Sequence, residues 1–143
     1  MSRTPMGSTL VELALTTALL GIVMAIAIPS VRTIIDRMSV RAAKQDVVLA
    51  LWSARNAAAF RGDYTRLIVD AARGRLRVVV GGDTVFSRDL TSRRGVAVAV
   101  TRDTIVYSPT GLGWGAANTR IIVSRGRRAD TVTTSRLGRV AFE

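Results

Sequence analysis

The chain has 143 residues, no cysteine and no histidine, and a formal net charge of +11. The two absences exclude disulfides, thiol nucleophiles, Ser-His-Asp triads and metal sites built from imidazole or thiolate, so we expect neither an enzyme nor a cofactor. The charge comes from 20 arginines and Lys44 against ten acidic residues; it makes nucleic acid and anionic lipid candidate partners, although scattered charges also occur on ordinary solvated surfaces.

The most apolar part of the chain lies near its N-terminus. Between Glu12 and Arg32 there are 19 consecutive uncharged residues. As a helix rising 1.5 Å per residue, this run would span roughly the 30 Å of a bilayer core. The pattern predicts a single membrane-spanning helix with membrane lipid around it.

Two simpler interpretations of this segment stay open. An ordinary secretory signal would use Arg3 as its basic region and be cut after Ala25-Ile26-Ala27. A plain anchor would not be cut at all. Glu12 argues against the secretory signal, because an acid inside a membrane segment costs free energy and usually marks function, although an acid at a helix end can also reach water.

The residues before the apolar run form a recognisable motif, Met6-Gly7-Ser8-Thr9-Leu10-Val11-Glu12-Leu13. It resembles the signal of type IV prepilins and type II secretion pseudopilins. That family is cut after a glycine and has glutamate at the fifth position of the mature chain. Glu12 takes this position if the cut follows Gly7, whereas Ser8 stands where the family usually has phenylalanine.

The resemblance implies cleavage between Gly7 and Ser8 by a prepilin peptidase, followed by N-methylation of Ser8. It also implies that Glu12 acts in filament assembly by meeting the N-terminus of a neighbouring pilin or pseudopilin. The chemistry is reasonable, because a carboxylate about 4 Å from an ammonium gains about 4 kcal/mol at an effective dielectric constant of 20. Within the apolar run, Gly21 and Pro29 predict a helix kink or local melting.

Residues 32–61 continue as an amphipathic helix. Apolar residues recur at helical spacing from Val40 through Ala43, Val47, Leu51 and Ala54 to Ala58. We expect Trp52 and Phe60 to be core anchors of the same helix, and Gly62-Asp63 to end it.

Residues 62–143 change to short β-branched runs separated by turns. The predicted strands cover residues 65–70, 75–80, 84–88, 96–100, 104–107, 120–124, 131–135 and 139–142. The alternation in Arg75-Leu76-Arg77-Val78 predicts antiparallel sheets with one packed face.

The C-terminal part strengthens the resemblance. Tyr107-Ser108-Pro109-Thr110-Gly111, then Asn118-Thr119 and a final Gly138-Arg139-Val140, is similar to the tail of GspH/FimT-type minor pilins. The implied fold is α+β and pilin-like: a leader (1–7), a membrane and assembly helix (8–31), its amphipathic continuation (32–61) and a small antiparallel head (62–143). The head would lie in the periplasm.

The implied function is a minor pilin or pseudopilin that initiates or caps a type II secretion pseudopilus or a type IV pilus. An alternative is a DNA-binding minor pilin involved in DNA uptake or adhesion. Its candidate DNA contacts are the densest group of basic residues, Arg125, Arg127, Arg128, Arg136 and Arg139. No aromatic residue alternates with these arginines to stack on a base.

Overall fold

The computed structural model describes residues 9–115, 119–135, 137 and 139–142. The predicted cleavage positions Gly7 and Ser8, and the candidate DNA contact Arg136, lie outside the described residues. The chain forms two compact units, Met1–Ile35 and Asp36–Glu143. The second unit contains the predicted head, residues 62–143, together with residues 36–61. From here on, the whole second unit is called the head.

A single helix, α1 (Leu10–Arg61), supplies residues to both units. The end of the helix agrees with the predicted stop, because Gly62 has a φ of +64°, a left-handed conformation that glycine adopts without steric cost.

Within the head, one face of α1 packs against the sheets. The predicted apolar track is confirmed, and Ala50 joins it: all of these side chains are buried, namely Val40, Ala43, Val47, Ala50, Leu51, Ala54 and Ala58. Four of the seven are alanines. Such small side chains let the helix backbone approach the sheets closely, and this leaves little room for a large ring on the packed face.

The prediction that Trp52 and Phe60 anchor the core is wrong. Trp52 is 62% exposed and Phe60 is 93% exposed. Both lie on α1, but their positions turn them away from the alanine-lined face. Apolar character alone did not show which side of the helix they occupy.

In the part of the chain that the structure describes, the rest of the head consists of nine strands and one short helix. In chain order they are β1 (Thr65–Asp70), β2 (Arg75–Val80), β3 (Asp83–Asp89), α2 (Leu90–Arg94), β4 (Ala97–Val100), β5 (Thr104–Tyr107), β6 (Gly113–Trp114), β7 (Thr119–Arg125), β8 (Arg128–Thr134) and β9 (Val140–Phe142). All eight predicted strands are present, with ends shifted by at most a few residues.

The strands form two antiparallel sheets. The first sheet has the order β3-β2-β1-β5-β6, and the second has the order β4-β7-β8-β9. In β2 the alternation is as predicted, since Leu76 and Val78 are fully buried while Arg75 and Arg77 are exposed. Both sheets and the head portion of α1 contribute to one hydrophobic core, so the predicted fold class is confirmed.

Two elements were not predicted. Helix α2 begins after Asp89, whose side chain accepts a hydrogen bond from the Ser92 backbone N–H at 2.8 Å, and it ends at Gly95, which has a φ of +63°. An N-cap aspartate and a C-terminal glycine can indicate a helix, but the helix between them is too short to show a helical period. Strand β6 has only two residues in a glycine-rich loop, too few to show alternation.

Candidate functional site

Glu12 lies at the start of α1, where hydrogen bonds to Thr9 cap the helix. The Glu12 backbone N–H donates to the Thr9 hydroxyl oxygen at 3.3 Å, and the Leu13 N–H donates to the Thr9 carbonyl oxygen at 3.1 Å. Thr9 therefore caps the helix, and Glu12 lies in its first turn, where the helix dipole favours a negative charge. The Thr-x-x-Glu spacing is that of a capping box, a pattern that the sequence analysis did not use.

The segment after Glu12 meets the length and composition required of a membrane span. Its mean hydropathy reaches 2.3, and none of it is buried inside the protein. The two polar side chains near its start are satisfied locally: Thr16 donates to the Leu13 carbonyl at 2.9 Å, and Thr17 donates to the carbonyls of Leu13 and Ala14. Local bonding of this kind removes the cost of placing a hydroxyl in hydrocarbon.

The predicted kink positions lie inside this segment. The helical backbone is continuous through Gly21 and Pro29. Among the described residues, no side chain lies within 4 Å of the position that a Cβ on Gly21 would take. The kink itself stays a prediction.

Of the candidate DNA contacts, Arg125 is held inside the head. Its Nε atom lies 3.0 Å from Oδ1 of Asp36, and its Nη1 donates to the Ser39 hydroxyl at 2.9 Å and to the Arg94 carbonyl oxygen. These contacts join the end of β7 to α1 and to α2. Arg125 is therefore a structural link between three elements.

Arg127 and Arg128 lie at the turn between β7 and β8. The turn has two central residues, Gly126 and Arg127, and Gly126 has a φ of +57°. Glycine is suited to the first central position of a hairpin turn of this hand. Both arginine side chains are exposed, and neither makes a hydrogen bond or ion pair with the residues that the structure describes.

Arg139 lies at the other end of β8. Its carbonyl oxygen accepts a hydrogen bond from Ser135, the residue after the last one of β8, at 2.9 Å. A seven-residue strand is roughly 20 Å long, so Arg128 and Arg139 are separated by about that distance. Instead, Arg139 shares a hollow of about 430 Å³ with Arg55 and the exposed Trp52. The described candidate arginines therefore do not form one surface.

The first sheet carries an aromatic pair that the sequence analysis missed. Tyr64 and Trp114 meet edge to face, with ring centroids 5.4 Å apart, and both rings are more than two-fifths exposed. Strand register places Arg66 on the same row as Trp114, through Val106 between them. Fifty residues separate the two aromatics along the chain, so no local pattern could have paired them.

Other charged groups in the head have structural contacts. Hydrogen bonds from the backbone N–H of Arg73 and Ser92 lower the pKa of Asp70 and Asp89, respectively. Asp46 is buried and accepts ion pairs from Arg94 at 3.4 Å and Arg88 at 3.9 Å. Among the described residues, no group of three acidic side chains is placed to hold a metal ion.

Comparisons by sequence find nothing: no protein-family model matches the chain, and no curated protein is significantly similar to it. Comparison by structure does find proteins of similar fold. The type IV minor pilin FimU of Pseudomonas aeruginosa superposes with a TM-score of 0.63 at 12% identity, covering 75% of this chain and 90% of FimU. A second crystal form of FimU gives a TM-score of 0.59.

A third solved structure belongs to a secretion system. The minor pseudopilin EpsH from the type 2 secretion system of Vibrio cholerae superposes with a TM-score of 0.59 at 12% identity, covering 73% of this chain and 96% of EpsH. At this identity the likeness establishes the fold.

Proposed function

From the fold that the head shares with minor pilins and minor pseudopilins, we propose that this chain is itself a minor pilin or pseudopilin. It would serve as a structural subunit, without catalytic activity, that initiates or caps a type II secretion pseudopilus or a type IV pilus. One observation carries the proposal: Glu12 lies in the first turn of a 52-residue helix whose first part is apolar and unburied and whose second part packs into a head of this fold.

The proposed route begins in the inner membrane. Prepilin peptidase cuts between Gly7 and Ser8, and Ser8 is N-methylated. The apolar run holds the subunit in the bilayer, with the head in the periplasm. The new ammonium at Ser8 then offers a partner to a glutamate in the position of Glu12, so each subunit joining the filament can exchange lipid contacts for this ion pair.

The experiment that tests this proposal is the intact mass of the membrane-extracted protein, expressed with and without a prepilin peptidase. We expect loss of residues 1–7 only when the peptidase is present, with or without the mass of one methyl group. Cleavage after Ala27 would replace the proposal with a secreted head. An uncut chain would leave a plain membrane anchor.

A second candidate function, DNA binding by the head, rests on the exposed Arg127 and Arg128 at the tip of the β7–β8 hairpin. Each phosphate neutralised would add about 0.9 to the slope of log affinity against log salt. Affinity for duplex DNA that falls steeply with salt, and that weakens in both Arg127→Ala and Arg128→Ala, would support it. Salt-independent or absent binding would exclude it.

A further inference from the structure

A groove of about 870 Å³ lies between α1 and the first residues of β8. Its basic side chains are Arg37, Arg41 and Lys44 from α1 and Arg128 from β8. The hairpin turn before β8 places Arg128 here, almost ninety residues after Arg41 in the sequence. Arg127, its neighbour in the turn, does not line the groove.

The groove carries an excess of positive charge. Its one acid, Asp130, has both carboxylate oxygens 3.0 Å from Nζ of Lys44, and the two side chains are each 24% exposed. Arg37, Arg41 and Arg128 make no side-chain hydrogen bond or ion pair within the described part of the chain. Three guanidinium groups are thus available to a ligand that brings negative charge. Guanidinium is suited to phosphate because its N–H groups can bind two oxygens at once.

Apart from Gln45, the uncharged residues that line the groove are apolar. Val48, Leu49 and Ala129 contribute to it, and the Leu49 side chain is 54% exposed. The sugar–phosphate backbone of duplex DNA, which is strongly polar, would leave this apolar surface without a matching partner. A phosphate attached to hydrocarbon fits both parts, because its charged end meets the arginines and its apolar end covers Leu49.

The position along the chain indicates where such a ligand is found. Arg37 follows Val31, the last residue of the uncharged run, by only six residues. Even when fully extended, six residues span at most about 20 Å. The groove must therefore begin close to the surface of the membrane that the run would occupy. This step rests on the proposed membrane anchor.

We propose that the groove binds the headgroup of one anionic phospholipid from that membrane. Arg37, Arg41 and Arg128 would hold the phosphate, and the glycerol and first methylene groups would lie on Val48 and Leu49. The bound lipid would fix the head at the membrane surface before the subunit enters a filament. Because Arg128 belongs to the hairpin, lipid binding would also depend on the folded head.

The test uses the full chain in detergent micelles, with native mass spectrometry to count retained lipids. Phosphatidylglycerol is titrated against phosphatidylcholine. We expect saturable retention of one phosphatidylglycerol per chain and about fivefold weaker retention in Arg41→Ala and in Arg128→Ala. The matched controls are Arg127→Ala, in the same turn, and Arg32→Ala, which removes a charge next to the membrane segment; both should retain the lipid as the parent chain does.

Four results would overturn the proposal. The first is an equal loss in Arg127→Ala or Arg32→Ala, which would mean general attraction to anionic surfaces. The second is no preference for phosphatidylglycerol. The third and fourth are displacement of the lipid by inorganic phosphate at the same concentration, or by short duplex DNA, either of which would identify a different ligand.

A separate measurement distinguishes failure of the groove proposal from failure of the proposed function. Flotation with phosphatidylcholine vesicles tests whether the chain inserts at all. Insertion without lipid preference would overturn only the groove, whereas failure to insert would overturn the membrane anchor itself. Thermal melting of each variant, followed by tryptophan fluorescence, checks that the head stays folded. If either Arg41→Ala or Arg128→Ala misfolds, the other still tests the groove.

Discussion

The arginines of the head divide into two groups with different roles. Arg88, Arg94 and Arg125 are held by Asp46 or Asp36, so they join α1 to the strands and to α2. Arg127 and Arg128 are exposed and unpaired among the described residues. Net charge therefore says little about binding until the paired arginines are set aside. Only unpaired arginines, such as these two and Arg37 and Arg41 on α1, are available to an anionic ligand.

Gly126 leaves room for the Asp36 carboxylate that binds Arg125. A Cβ at this position would lie 2.6 Å from Oδ2 of Asp36, the acid that Arg125 binds. We expect Gly126→Ala to lower the free energy of unfolding by more than the roughly 1–2 kcal/mol cost of a left-handed alanine. Gly62→Ala is the control, since Gly62 has a φ of +64° but nothing within 4 Å of its Cβ position. Equal losses in urea unfolding would show that the contact with Asp36 does not matter.

Asp89 makes the stability of the head sensitive to acid. The Ser92 N–H and, secondarily, Arg75 hold the pKa of this carboxyl below its usual value. A group with a lowered folded-state pKa stabilises the fold above its unfolded-state pKa, about 4, and this stabilisation is lost as the pH falls through the lower folded-state value.

Asp89→Asn should therefore reduce the loss of stability between about pH 5 and pH 2, while keeping an oxygen that can cap α2. The measurement is the midpoint of urea unfolding at each pH. Asp103→Asn is the control, because the exposed Asp103 side chain makes no hydrogen bond or ion pair among the described residues. The same acid dependence in the parent chain and in Asp89→Asn would contradict the argument.

At the scale of elements, the packing of the head depends on α1, whose buried face is rich in alanine. Ala54 is fully buried against the core, whereas Ala59 on the same helix is exposed. The close approach that alanine permits also explains why the rings of Trp52 and Phe60 lie outside. A large side chain on the packed face would have to move the helix or the sheets.

Ala54→Leu should therefore lower the free energy of unfolding by about 1–3 kcal/mol through overpacking. Ala59→Leu adds the same side chain to the exposed face and should change stability by less than about 0.5 kcal/mol. Denaturant unfolding followed by tryptophan fluorescence measures both. If the two variants behave alike, the helix does not pack as closely as the burial indicates.

At the scale of the whole molecule, the proposed function depends on Glu12, whose place at the helix start and whose proposed part in assembly can be tested separately. It lies in the first turn of α1 beside the capping residue Thr9, and in the proposal its carboxylate meets a neighbouring N-terminus. The capping role concerns the stability of the helix. The assembly role concerns a partner subunit.

Glu12→Ala should reduce incorporation into filaments by at least about tenfold, because the ion pair is lost in a region of low dielectric. Membrane insertion should be unaffected. Thr9→Ala removes the hydroxyl that accepts the Glu12 N–H and serves as the control, which we expect to assemble almost normally. The measurement is the amount of the chain in sheared filaments relative to the amount in membranes. If Thr9→Ala is equally defective, assembly depends on a stable start of α1, and loss of the ion pair does not explain the defect of Glu12→Ala.

The sequence by itself determined the features that depend on neighbours close along the chain. The run of 19 uncharged residues, the helical spacing from Val40 to Ala58 and the alternation in Arg75-Leu76-Arg77-Val78 each reflect a local period, and helix and strand followed from them. Only the tertiary structure decided which side of α1 Trp52 and Phe60 occupy, that Arg125 is bound to Asp36, and that Arg128 shares a groove with Arg37 and Arg41. Those outcomes depend on packing between segments as many as ninety residues apart, and no local period in the sequence records which of them meet.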